Sequence, residues 1–256
     1  MTSRRDFLEL AGAATAGALL ASSTALAGDK TGKDLTKPVP VKGKVVEPPG
    51  PMPPGSHKLL DLPFRPDKLK RMSSAMIQSH HSNNYAGAVN NLNKVEIDLS
   101  KINRDTAPYQ VGALRERELT YTNSKILHEH YFYNLGGDGK PGGAAVNRLT
   151  QQYGSAARWE ELFRATAMSL GGGSGWVILD ANFATGDLRI YGSSGHNQAV
   201  AFGQPLLVLD MYEHSYALDY GAAHAKYIDA FFANVNWDEV DHRLARADRA
   251  IAALRA

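Results

Sequence analysis

The sequence predicts an α+β fold: an N-terminal long-helix hairpin, then a C-terminal α/β domain with a three-stranded antiparallel sheet. Three observations predict it. Residues 67–133 carry helical spacing with few breakers. The strand-length apolar runs fall together between residues 174 and 209. Aromatic-rich helical pattern then returns to the C-terminus.

The elements follow in order. Asp67 to Asn93 lacks proline, and Leu69, Met72, Met76, His80 and Val89 recur at roughly helical spacing, so one long helix, straight or kinked, is expected. Ile102 to Val111 contains Pro108 and reads as a loop. Leu114 to Tyr133 reads as the second helix, stopped by the glycine cluster of Asn134-Leu135-Gly136-Gly137-Asp138-Gly139. Val146–Tyr153 and Ala157–Ser169 are two further helices. Ser174–Asp180, Leu188–Tyr191 and Gln204–Leu209 are the strands, the first two joined through Thr185-Gly186-Asp187. Ser215 to Asn234 and Trp237 to Leu254 close the chain as helices.

The N-terminus reads as an address. Ser3-Arg4-Arg5-Asp6-Phe7-Leu8 precedes an Ala/Gly-rich apolar run from Leu10 to Leu26, and Ala25-Leu26-Ala27 is a small-x-small cleavage site. This is the twin-arginine form of a bacterial export signal, so a periplasmic or extracellular location is expected. No other run is long enough to span a bilayer, so no stable membrane span is expected after signal removal. Seven prolines between Thr36 and Gly55 forbid helix and interior strand there. The expected organisation is signal 1–27, proline-rich linker 28–56, helical hairpin domain 57–140 and C-terminal α/β domain 141–256.

Composition narrows the chemistry. The formal net charge of +2 is too small, and the basic residues too scattered, to argue for nucleic acid, so no nucleic-acid partner is expected. With no cysteine, the chain has no disulfides, thiolate zinc sites or iron–sulfur clusters. What stands out is Pro205-Leu206-Leu207-Val208-Leu209-Asp210-Met211-Tyr212-Glu213-His214. A buried strand ends in a carboxylate, and an imidazole follows four residues later. Further histidines sit at His80-His81 and His128-Glu129-His130. Several imidazoles with one carboxylate suit Fe, Mn or Zn.

From about His57 onward the chain resembles the iron/manganese superoxide dismutase family. Asp210-Met211-Tyr212-Glu213-His214-Ser215-Tyr216 is similar to its D-x-W-E-H-A-Y signature, and Gly173-Ser174-Gly175-Trp176 to its G-S-G-W strand. Val89-Asn90-Asn91-Leu92-Asn93 resembles the end of its first long helix. Ala225 to Phe232 with Val235-Asn236-Trp237 resembles the segment after the signature. The resemblance implies one Fe or Mn ion per subunit, held by three histidines and one aspartate, acting on superoxide in a homodimer or dimer of dimers. It points to Asp210 and His214 directly. It points to His80 by ungapped alignment of Val89 to Asn93, with His81 as the shifted alternative. It points to His130 because His130-Tyr131-Phe132-Tyr133 resembles H-x-F-Y, with His128 as the rival. His196 is expected to act on the metal's solvent ligand, with Gln198 as the alternative. Glu213 is expected to reach a partner subunit's ligand histidine, and Trp176 to pack beside the metal.

The chain also departs from the family. The gateway tyrosine position holds Ala88, and Tyr85, one turn earlier, is expected to project its hydroxyl into the same space as a catalytic group. The gateway histidine becomes Asn84, the signature tryptophan Tyr212, the second signature tyrosine Ala217, and the second tryptophan of the strand Ile178. Superoxide dismutation is the expected activity. The altered gateway motivates the alternative, a metal-binding or interaction protein on the same scaffold with little dismutase activity.

Overall fold

Ser73 opens the helical half: its Oγ accepts from Met76 N at 3.0 Å and caps α1 (Ser74–Ser79). The computed structural model describes residues 50–198 and 201–256, so the signal and nearly all of the proline-rich linker lie outside the described residues. The single helix expected over 67–93 is three pieces. A π-helical turn, His80–Tyr85, separates α1 from α2 (Ala86–Leu99). Such a turn inserts one extra residue and re-aims the side chains around it. Here it buries both His80 and Tyr85.

Helix α3 (Pro108–Tyr133) begins six residues earlier than expected. Pro108 does not break it, because proline is tolerated in the first turn, where an amide hydrogen would be unpaired anyway. Asn134 then acts as a one-residue strand. Its Nδ2 donates to Leu206 O and its Oδ1 accepts from Val208 N, both at 3.0 Å.

Helices α4 (Gly143–Tyr153) and α5 (Ala156–Ser169) lead into the sheet of β1 (Trp176–Asn182), β2 (Leu188–Ser193) and β3 (Gly203–Asp210). The order is β2-β1-β3, antiparallel throughout, as expected. Cross-strand pairing sets Trp176 opposite Asp210. The helix expected over 215–234 is broken into α6 (Ala217–Tyr220) and α7 (His224–Phe232), because Gly221, at φ +52°, ends the first piece. Helix α8 (Trp237–Leu254) closes the fold. Phe163, Val177, Leu179, Leu207, Leu209 and Phe231 are fully buried in one continuous core. Among the described residues no helix is long and apolar enough to cross a membrane.

Asp180 is the anomaly of the sheet. It is fully buried at the β-bulge where β1 slips against β3. Neither carboxyl oxygen has a hydrogen-bond partner. A Cβ at Gly203 would lie 2.0 Å from Asp180 Oδ2, so a side chain there would have to displace the Asp180 carboxyl. The cross-strand Arg189 turns to Asp187 instead, at 2.7 Å. Burial pushes the Asp180 carboxyl up to about 6. The folded state therefore keeps a proton that the unfolded chain has already released. The stability this contributes is present below the ordinary carboxyl pKa and is lost as pH rises through about 6. The loss amounts to about 3 kcal/mol. Asp180→Asn removes this contribution alone, so the stability of wild type relative to the variant is expected to fall by about 2–3 kcal/mol between pH 4 and pH 8. A difference between the two proteins that stays constant over that range would contradict this account.

Candidate metal centre

Asp210 is the last residue of β3, the strand that packs against α3. His80 comes from the π-helical turn, His128 from α3, and His214 from the short turn Glu213–Ser215 after β3. One ligand atom from each of these four residues lies within 4.8 Å of the others. Asp210 Oδ2 is 3.2 Å from both His80 Nε2 and His214 Nε2, and 3.7 Å from His128 Nε2. Metal–nitrogen bonds of about 2.1 Å leave neighbouring ligand atoms about 3–4 Å apart, so one ion fits between these four.

Two further observations support that fit. His80 Nε2 and His128 Nε2 are buried with no hydrogen-bond partner, a costly state unless something else takes the lone pair. His128 Nδ1 donates to Ser124 O at 2.6 Å. A carbonyl only accepts, so the proton sits on Nδ1 and the lone pair of Nε2 faces the cluster. Burial pulls the His128 imidazole down to about 3, and burial likewise lowers His80, so both are neutral donors at physiological pH. Burial opposes ionisation of Asp210, but the His214 and His80 imidazoles around it outweigh that and hold its carboxyl well below the usual range.

His130, the expected third histidine, does not join this group. On α3 the buried positions are Ser124, Leu127, His128, Tyr131 and Phe132, a single stripe of i, i+3, i+4, i+7 and i+8. His128 lies on that stripe and His130 does not. His130 donates from Nδ1 to Ile126 O at 2.8 Å and sits beside Arg243; burial first, then that guanidinium, pulls it down to about 4. His81, the alternative for the first position, turns away and bonds Leu60 O at 2.8 Å.

The hydroxyl expected from Tyr85 points elsewhere. It donates to Glu129 Oε1 at 2.8 Å and accepts from Leu60 N at 3.2 Å. What Tyr85 gives the site is its ring, stacked on His128 at 6.1 Å. Burial raises its phenol well above the ordinary value.

His196 does stand beside the cluster. Trp176 Nε1 donates to His196 Nδ1 at 2.9 Å, leaving Nε2 to carry the proton of the neutral ring. Asn123 Nδ2 fixes its backbone carbonyl at 2.7 Å, and its ring stacks on Tyr212 at 4.5 Å. Trp176 itself meets His128 edge-on at 5.0 Å. Gln198, the alternative, instead accepts from Ser194 N at 2.8 Å. His196→Ala is expected to lower turnover about 10- to 100-fold, the usual cost of losing a group that orients a metal's surroundings, with the thermal melt unchanged. An unchanged rate would make His196 a loop residue without a role.

Three imidazoles, two of them buried, and one buried carboxylate on a mixed helix–sheet scaffold form a group that could hold one metal ion, with a ligand set that suits a redox-capable metal. The description "Iron/manganese superoxide dismutases, C-terminal domain" matches residues 141–243. An iron superoxide dismutase of Cupriavidus metallidurans is 43% identical over 194 residues, covering 75% of this chain and 98% of that protein. A manganese superoxide dismutase of Haloferax volcanii is 34% identical, with 75% and 97% covered. An iron superoxide dismutase of Aquifex pyrophilus is 33% identical, with 78% and 98% covered. The chain belongs to the iron/manganese superoxide dismutase family.

Proposed function

We propose that the protein converts superoxide to oxygen and hydrogen peroxide at one Fe or Mn ion held by His80, His128, Asp210 and His214. The convergence of three imidazoles and one carboxylate, with the Nε2 atoms of both His80 and His128 lacking a hydrogen bond, carries this reading. A bound Fe or Mn ion supplies the one-electron exchange with superoxide. The protein's part is electrostatic and positional. Neutral imidazoles with a single carboxylate would offset only one unit of a bound ion's charge, so the loaded site would keep an excess of positive charge that draws the anion in. His196, with a proton on Nε2, is the donor held at the edge of the site. The Tyr85 ring walls off His128.

His214 is the open side of the cluster, with 24% of its side chain exposed, and Glu213 beside it is exposed. Covering that edge with a second copy of the chain, Glu213 reaching the partner's centre, is the homodimer we infer. The twin-arginine sequence supports export, so superoxide removal in the periplasm or outside the cell is the setting proposed.

One observation favours a second reading, a metal-binding protein with little turnover. The gateway position is Ala88, and the Tyr85 hydroxyl is engaged by Glu129 and Leu60. Elemental analysis paired with a superoxide-consumption assay on the exported protein separates the two. Near-stoichiometric Fe or Mn with fast consumption supports the dismutase. Bound metal without consumption supports the second reading, and no bound metal overturns both.

A further inference from the structure

A line of tyrosines leads away from the cluster. The Tyr131 ring lies 5.1 Å from the His80 ring. The Tyr131 and Tyr227 hydroxyl oxygens are 3.2 Å apart, and Tyr227 donates to the Asp210 carbonyl at 2.8 Å. Tyr227 has one proton and gives it to Asp210, so Tyr131 donates to Tyr227. Both tyrosines are fully buried. The next ring outward, Tyr220, is 6.1 Å from Tyr227, half-buried, with its hydroxyl bonded to Arg71 O.

Dismutation as proposed above makes neither buried phenol a reactant. Yet its product is an oxidant formed at the cluster, whose His80 ring lies against Tyr131. With no cysteine in the chain, tyrosine and tryptophan are the side chains most easily oxidised by one electron. Electron transfer falls off exponentially with distance, and rings 5.1 Å and 6.1 Å apart are within its reach.

We propose that Tyr131, Tyr227 and Tyr220 form a one-electron relay from the metal cluster to the surface, letting peroxide at the site oxidise a small phenolic or enediol donor at Tyr220. The proposal rests on the dismutase reading, which supplies the peroxide. Hydrogen peroxide accepts two electrons and two protons, its O–O bond breaks, and two waters leave. Two donor molecules each give up one electron, which travels inward through the rings, and one proton, which goes to solvent at Tyr220. Protons taken from solvent at the site balance those released at the surface. Each donor leaves as a radical. The protection is for His80, His128 and His214, which would otherwise be the first groups oxidised.

A second exit competes. Trp176 is 5.0 Å from His128 and 5.9 Å from Tyr212, which is itself half-buried. The experiment distinguishes the two routes. Metal-loaded full-length protein is treated with hydrogen peroxide without donor. It is then freeze-quenched for electron paramagnetic resonance and mapped by peptide mass spectrometry. Wild type is expected to give a tyrosyl radical. In Tyr220→Phe and Tyr227→Phe the signal falls several-fold, and oxygen addition to His80, His128 and His214 rises several-fold. Tyr220 touches neither cluster nor substrate, so Tyr220→Phe keeps the wild-type rate of superoxide consumption in the same samples. An unchanged radical and oxidation map in both variants, or a radical that follows Trp176 instead, overturns the relay. Intact dismutation with no tyrosyl radical overturns the relay alone. A tyrosyl radical sensitive to Tyr220→Phe in protein that consumes no superoxide supports the relay and sinks the dismutase reading.

Discussion

His128→Ala is expected to abolish both metal retention and superoxide consumption, whereas His130→Ala leaves metal content and rate close to wild type. The contrast is large because the two histidines sit on different faces of α3. His128 is buried, its Nδ1 proton is committed to Ser124 O, and its Nε2 faces Asp210 at 3.7 Å. Alanine there removes one of four ligand atoms. It also leaves a void between the Tyr85 ring and Trp176, which pack on His128 at 6.1 Å and 5.0 Å. His130 has no contact with Asp210, and its bond to Ile126 O ties it to its own helix. Elemental analysis of both purified variants checks this. Metal lost from His130→Ala and kept in His128→Ala would reverse the assignment.

Arg243→Leu is expected to lower stability by about 3–5 kcal/mol, the cost of removing one partner from a buried ionic network. For a folded body of this size that is a fall in Tm of about 10 °C. Arg243 is 4% exposed on α8. Its Nη1 donates to Asn134 Oδ1 and Leu206 O, both at 3.1 Å, and its Nε to Glu239 Oε1 at 2.7 Å. One guanidinium thus joins α3, β3 and α8, and β3 carries Asp210. Metal affinity is expected to fall together with stability. Thermal unfolding of wild type and variant decides it, and a shift within a degree or two would show the network to be dispensable.

The order and type of the elements were legible because each carries its own signal. The strands are short apolar runs bounded by glycine, and the long helices lack breakers. The misjudged boundaries have physical causes. Pro108 resembles a breaker until it is counted as the first residue of a helix. The break at Gly221 is hidden inside an aromatic run whose spacing continues across it. The π-helical turn at His80–Tyr85 has no local composition that marks it, since tertiary packing imposes it.

At the site, Asp210 and His214 could be read from a strand end and a four-residue spacing. His80 followed from alignment with Val89 to Asn93. His128 was missed because a short motif match, His130-Tyr131-Phe132-Tyr133, outweighed helical geometry. The signal was present. Leu127, Tyr131 and Phe132 are apolar at one, three and four residues from position 128, which puts His128 on the inward stripe. The isolation of Asp180 was not legible, because it depends on a bulge and on the approach of Gly203 from a distant strand.

The most direct test of the account is a crystal structure of metal-loaded protein with anomalous data at the iron and manganese absorption edges. The account predicts one peak per subunit, bonded to His80, His128, His214 and Asp210 Oδ2, and identifies the metal by the edge at which the peak appears. A peak bonded to His130 or His81 instead, or one at the zinc edge only, would contradict it.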